Sequence, residues 1–302
     1  MNPASGDKPK PNFFIIGAPK CGTTALSEYL STHPALLFSR PKEPKYFHTD
    51  FSDDHRYART LEEYLQCFDK EKMASREAVG EGTVWYLYSR YAVPNILEFN
   101  PSARFIVMIR DPIEIAYSLH SQLLFGGYEN ERDFEKAWRL QEARSRGESV
   151  PRACPDPKLL LYGKIAKIGE QIDRLLGLVA SERVKILDLE DLRRDPASVY
   201  GEALDFLGLP SDGRQSFPAI NRNRQLKSFW MARLFYLGNL VKRKLGGRRS
   251  LGIWKAVSPL LVRSEKRQPL SSELKAELRS HFTEDLERLS RSTGRDLSRW
   301  SG

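Results

Sequence analysis

Three cysteines in 302 residues are too few to organise this protein around sulfur. Cys21, Cys67 and Cys154 are widely scattered, which excludes a disulfide scaffold or a zinc-ligand spacing, and an odd number leaves at least one thiol unpaired. A reducing compartment is expected. Long apolar runs are missing as well, since no stretch approaches the ~20 residues that span a bilayer. The first eleven residues, Met1 to Pro11, are polar, so the sequence predicts a flexible start without a cleaved signal, and a soluble, cytoplasmic chain. No internal repeat is present, and no helix-turn-helix, zinc-finger or RNA-binding signature supports a nucleic-acid partner. Acidic residues are nearly missing from one segment. Between Arg222 and Arg267 stand 13 Lys or Arg against the single acid Glu265, a net of +12; with +9 overall, the remainder nets −3. That segment therefore holds the excess positive charge, and an anionic partner is expected for it: a membrane surface, a polyanionic acceptor, nucleic acid or a phosphorylated cofactor.

What is present fits one α/β domain over residues 1–302, long enough to bury a full core, with 40% hydrophobic and 29% charged residues. Asn12 to Gly17 reads as a short buried strand and Thr23 to Thr32 as a helix that Pro34 stops. Ala103 to Ile109 reads as another strand. It is followed by Arg110 and by Asp111-Pro112, a favourable helix cap and first helical residue. Arg183 to Leu189 reads as a third strand, followed by a helix from Pro196 to Leu207 that ends at Gly208. Ser271 to Ser290 is amphipathic, with Leu274, Leu278, Phe282, Leu286 and Leu289 at three- to four-residue spacing. Gly126 to Pro157 is polar and predicts a helix with a mobile loop, and Gly246 to Ser250 a flexible basic turn. Alternating strands and helices predict a P-loop-like domain with a central, mostly parallel sheet flanked by helices.

The link between the first strand and helix, Gly17-Ala18-Pro19-Lys20-Cys21-Gly22-Thr23-Thr24, is suited to an anion. Such a turn presents backbone N–H groups and the positive end of a helix dipole. Gly22 permits close backbone approach, Lys20 adds a point charge, and Thr23 and Thr24 add hydroxyl donors. A nucleotide triphosphatase loop reads GxxxxGK[ST]. Here Gly17 and Gly22 keep that spacing, but Thr23 stands where the lysine belongs, and Arg110 intervenes before Asp111 where a magnesium-positioning Asp is expected. A P-loop kinase or triphosphatase is thus the weaker enzymatic reading. A non-catalytic anion binder using the basic C-terminal segment is the alternative from another class.

G-A-P-K-C-G-T-T-A-L resembles the 5′-phosphosulfate loop of sulfotransferases that use 3′-phosphoadenosine 5′-phosphosulfate (PAPS), especially the carbohydrate branch related to heparan sulfate sulfotransferases and its bacterial relatives. R-D-P-I-E-I-A-Y-S, from Arg110 to Ser118, resembles their 3′-phosphate loop. Arg110 leaves the C-terminal end of a strand, where ligands bind in open α/β sheets, and Ser118 lies two helical turns beyond Asp111 on the same face. P-K-E-P-K-Y-F, G-E-G-T-V-W-Y-L, the L-L-Y-G near Tyr162, R-V-K-I-L-D-L-E-D-L, H-F-T-E-D-L-E-R-L and G-R-D-L-S-R-W follow in family order.

The resemblance implies PAPS as donor, with no metal, and an acceptor hydroxyl, most naturally on a carbohydrate. It implies Lys20 on the bridging oxygen, Cys21, Gly22, Thr23 and Thr24 around the 5′-phosphosulfate, and Arg110 with Ser118 on the 3′-phosphate. Glu43 matches the glutamate that serves as base; a solvated charge between Pro41 and Pro44 is the alternative reading. Two positions depart from the pattern. Lys45 stands where relatives carry His, with His48 further on, and Gly82 removes a lysine, which leaves open whether Lys45 compensates for it. His120 is a competing base, but it points to a different helix face from Ser118. Arg222, Arg224 and Lys227 are weaker donor-binding candidates, and Lys242 to Arg249 suits peripheral membrane contact or an acidic acceptor.

Overall fold

A computed structural model describes residues 10–218 and 269–300, with the backbone of a two-stranded antiparallel pair, Gln225–Leu226 and Val262–Arg263. The core is a five-stranded, all-parallel sheet in the order β2-β3-β1-β4-β5. Its strands are β1 (Phe13–Gly17), β2 (Leu36–Phe38), β3 (Ala78–Glu81), β4 (Arg104–Ile109) and β5 (Val184–Asp188). Strand β1 is buried along its whole length, as a central strand covered on two faces must be. Because β1 sits between β3 and β4, connections leave it in opposite directions. The crevice beyond its C-terminal end is the place where open α/β sheets bind ligands.

The helices are α1 (Thr23–Leu30), α2 (Leu61–Leu65), α3 (Lys70–Met73), α4 (Ala92–Phe99), α5 (Pro112–Phe125), α6 (Phe134–Arg139), α7 (Gln141–Ser145), α8 (Tyr162–Ala166), α9 (Ile168–Leu176), α10 (Leu189–Arg194), α11 (Pro196–Leu207) and α12 (Ser272–Thr293). The caps follow the sequence. Asp111 accepts from Ile113 N with Pro112 at the first helical position, Gly208 ends α11 at φ 75°, and Ser271 accepts from Leu274 N at the start of α12. The five apolar residues read on α12 are all buried. Helix α12 packs on α9, where the Asp285 carboxylate accepts from the N–H groups of Gly169 and Glu170 at 2.9 and 2.8 Å. Gly169 is obligatory there, because a Cβ would stand 2.2 Å from the Asp285 carbonyl oxygen.

Three expectations change. Strands β2 and β3 carry too little pattern to be read from sequence: one has three residues, and the other is Ala-Val-Gly-Glu. Gly80 lets β3 close on β1, since a Cβ would meet the Phe13 ring at 2.4 Å. The stretch from Gly126 to Pro157 holds the expected helical part as α6 and α7, and what was read as a mobile loop is anchored inside the protein. Arg144 and Glu129 form a bidentate pair at 2.7 Å with both side chains inaccessible, and Tyr162 donates to the same carboxylate at 2.6 Å. The expected flexible start, residues 1–11, falls mostly outside the described residues. Its last two residues are held, however: Asn100 donates to the Pro11 carbonyl at 2.9 Å, and the Lys10 ammonium lies over the Phe99 ring. Among the described residues no helix is long and apolar enough to cross a membrane.

Candidate active site

The C-terminal ends of all five strands meet at one edge, and the loops leaving them contribute side chains. From β1 comes the anion loop. Lys20 adopts φ 67° and Gly22 φ 84°, so the chain makes two left-handed turns before α1 begins at Thr23. Consecutive N–H groups in such a turn, at the start of a helix, form a concave anion cradle. Gly22 is needed for a further reason. A Cβ there would lie 2.6 Å from Leu189 Cδ1, so the loop also packs directly on the start of α10. Cys21 is fully buried, and burial pushes its thiol up to about 12, leaving it a backbone donor rather than a nucleophile. Thr23 is buried and Thr24 half-buried.

From β4 comes Arg110, 8% exposed. Its Nη1 donates to the Lys20 carbonyl at 3.1 Å, and Nη2 donates to Glu114 Oε2 at 2.6 Å. The guanidinium therefore ties the anion loop to the first turn of α5. Ser118 lies buried on that helix, two turns beyond its cap. His120 is buried on another side, with Nε2 against the Glu131 carbonyl at 2.8 Å, and burial lowers its pKa. It is a packing residue, as its helix position implies.

From β2 comes the segment Lys42 to Phe47. Glu43 is half-buried between two ammonium groups, Lys42 Nζ at 3.7 Å and Lys45 Nζ at 3.9 Å. Lys42 reaches across to the anion loop, where its Nζ donates to Thr23 Oγ1 at 3.2 Å. Sequence reasoning treated Lys42 only as a flanking charge. It left open whether Lys45 replaces the cation absent at Gly82, and the structure places Lys42 beside that glycine. The point a Gly82 Cβ would occupy is 2.9 Å from Lys42 Cε and 2.9 Å from Ser27 Oγ, so the stem of Lys42 fills that space. Lys45, at φ 55°, turns toward His55 instead, with Nζ 3.3 Å from Nε2.

That contact orders a small histidine chain. An ammonium only donates, so His55 Nε2 accepts, its Nδ1–H faces His48 Nε2 at 3.2 Å, and His48 carries its proton on Nδ1. Burial, reinforced by Lys45, pushes His48 down to about 2 and His55 well below the usual range. Neutral and buried, His48 is bonded to His55.

From β3 comes the support that sequence reasoning missed. Glu81 is fully buried, and desolvation pushes its carboxyl up to about 8, against the pull of two hydroxyl donors. Thr83 Oγ1 donates to Oε2 at 2.5 Å and Tyr86 OH to Oε1 at 2.9 Å. With their protons directed at Glu81, these hydroxyls accept from three consecutive backbone N–H groups. Lys45 N donates to Thr83 Oγ1 at 3.2 Å, and Tyr46 N and Phe47 N donate to Tyr86 OH at 3.0 and 3.3 Å. The Gly82 N–H adds a bond to the Lys42 carbonyl at 3.0 Å. The available signal was a carboxylate ending a strand, with Thr two and Tyr five residues on. Arg222, Arg224, Lys227, Lys242 to Arg249 and Gly246 to Ser250 lie outside the described residues.

A parallel sheet with a left-handed anion turn, an arginine joining it to a second loop, and a carboxylate between two lysines defines a P-loop-like domain built for transfer of an anionic group. The family model described as "Sulfotransferase domain" matches residues 10–286, and the chain belongs to that family. It is 26% identical over 299 residues to bifunctional heparan sulfate N-deacetylase/N-sulfotransferase 4 of Mus musculus, covering 96% of this chain and 31% of the relative. It is 29% identical over 206 residues to bifunctional heparan sulfate N-deacetylase/N-sulfotransferase 3 of Homo sapiens, covering 66% and 22%. The chain thus spans a third or less of these relatives' length. A sulfotransferase structure from Alicyclobacillus acidocaldarius shares the fold, with a TM-score of 0.70, 24% identity and coverage of 97% and 99%.

Proposed function

We propose that this sulfotransferase-family domain moves a sulfuryl group from PAPS to a hydroxyl on a saccharide. The observation that carries this reading is the Arg110 guanidinium bonded to the Lys20 carbonyl, which joins the two phosphate-type loops at one crevice. A donor with phosphate groups at two ends needs such a paired site, whereas a single anion loop would serve any nucleotide. The donor supplies an activated sulfuryl group on a phosphate leaving group. The amides from Lys20 to Thr24 and the Thr23 and Thr24 hydroxyls cradle its 5′ end, while Arg110 and Ser118 take the 3′-phosphate. Lys20 holds the charge that develops on the bridging oxygen. Glu43, the carboxylate facing the crevice from the β2 side, takes the proton from the acceptor. Lysines supply the positive charge, and no metal is part of the proposal.

The N-sulfotransferase names of the relatives favour a second reading, in which the acceptor is an amino-sugar nitrogen. The test is transfer of label from PAPS to two polysaccharides, one with its amines acetylated and hydroxyls free, one with free amines and blocked hydroxyls. Label on the first supports O-transfer, and label only on the second replaces it by N-transfer. Incorporation into neither, with phenolic or lipid acceptors labelled instead, overturns the saccharide acceptor. A cytoplasmic location and peripheral membrane contact through Lys242 to Arg249 belong to the same proposal, and fractionation with binding to anionic vesicles tests them.

A further inference from the structure

We propose that Lys42 is a second cation for the 5′ end of the donor, delivered from the acceptor-side loop past the glycine at position 82. The inference rests on the donor reading above and deepens it. Its geometry has three parts. Lys42 Nζ stands 3.2 Å from Thr23 Oγ1, the first hydroxyl of the anion loop, so the ammonium is already at the cradle. With the ammonium donating to it, the Thr23 hydroxyl keeps its own proton for an incoming anion. The stem of Lys42 runs beside Gly82: the point a Cβ would occupy lies 2.9 Å from Lys42 Cε, so a side chain there would make the lysine shift. Ser27 Oγ borders the same space at 2.9 Å from that point. It is buried and has no hydrogen-bond partner among the described residues, which leaves a second polar group at the head of the cradle.

Electrostatics agrees with this placement. Burial lowers the Lys42 pKa from the ordinary lysine range, and the main opposing influence is Glu43, 3.7 Å away. An enclosed ammonium with a carboxylate beyond ideal contact distance gains from an added anion. In the transfer step the bond from sulfur to the bridging oxygen breaks with its electron pair left on the 5′-phosphate. The acceptor oxygen bonds to sulfur, and its proton passes to Glu43. Lys20 lies on the loop, and Lys42 approaches it from the loop after β2, so the leaving phosphate meets positive charge from two elements. Lys42 also touches Glu43, which couples the base to the donor: the same ammonium adjoins the proton acceptor and the cradle.

The experiment needs no acceptor. Affinities of full-length wild type, K42A and K42R are measured by calorimetry for 3′-phosphoadenosine 5′-phosphate (PAP) and for adenosine 3′-monophosphate, which lacks the 5′ group. K42A should weaken PAP about tenfold or more and leave adenosine 3′-monophosphate within about twofold, with K42R recovering most of the loss. Equal weakening of the two ligands, or no weakening of PAP, overturns the assignment and makes Lys42 a structural or bystander residue. A wild-type protein that binds neither ligand overturns the donor reading itself, so the two failures are told apart.

Discussion

The two sides of the crevice are built by different means. The donor side, Gly17 to Thr24 with Arg110, is made mostly of backbone: two left-handed residues, a helix start and a guanidinium fastened to a carbonyl. The acceptor side, Lys42 to Phe47, is held chiefly by side chains: Thr83 and Tyr86, after β3, bond its amides, Tyr64 of α2 packs against Tyr46 and Phe47, and Phe99 of α4 against Phe47. Glu81 holds Thr83 and Tyr86, which in turn hold three amides. A backbone cradle is fixed by the sheet and by local chain geometry. A side-chain suspension can be loosened by one substitution, and Lys42 is the point where such a change reaches the donor side.

The largest separation of the two sides is expected from E43Q. Loss of the general base should cut the turnover number by about 10²- to 10⁴-fold, while PAP affinity stays within about twofold of wild type. Single-turnover transfer and calorimetry on the same preparation check it; near-normal turnover would move the base elsewhere. Next in size is R110A on the donor side. Removing a buried, charge-assisted contact should weaken PAP by about 10- to 100-fold, while AMP, which lacks the 3′-phosphate, loses far less. A pH-dependent effect, read in stability rather than in binding or turnover, is expected from Glu81. A carboxyl with a folded pKa of about 8, above the ordinary carboxylate value of 4.5, stabilises the fold fully below pH 4.5, and this contribution is lost as pH rises toward 8. Urea titrations from pH 5 to pH 8 should therefore show wild type losing stability relative to E81Q. A constant difference across that range would mean that Glu81 ionises normally in the fold.

The same contrast explains what the sequence made legible. The donor side was readable because its signals are local: Gly17, Lys20, Gly22, Thr23 and Thr24 lie within eight residues, and Asp111-Pro112 marks the second loop by cap chemistry alone. Strands β1, β4 and β5 were readable as apolar runs. Strands β2 and β3 were not, because a three-residue edge strand and a strand ending in Gly-Glu carry almost no periodicity. The acceptor side failed for the same reason. Thr83 and Tyr86, which Glu81 holds, bond amides 38 to 40 positions away, and no spacing rule connects Gly82 to Lys42. Local sequence thus read Lys42 as a solvated flank and left open what compensates for Gly82, whereas the structure puts the stem of Lys42 beside that glycine and its ammonium at Thr23. Gly22 was read as making room for a phosphate, and the structure adds its positive φ and its contact with Leu189.

The claim on which the rest depends is that the loops after β1 and β4 form one site for a nucleotide phosphorylated at both its 3′ and 5′ ends. A thermal-unfolding titration of the full chain with PAP, with ATP–magnesium and with a short oligonucleotide tests it most directly. Ligand bound only by the folded state stabilises by mass action, about 2.7 kcal/mol at a hundred times its Kd. The account predicts a clear, saturable rise in melting temperature with PAP and little or none with the other two. A rise with ATP–magnesium and none with PAP would contradict it.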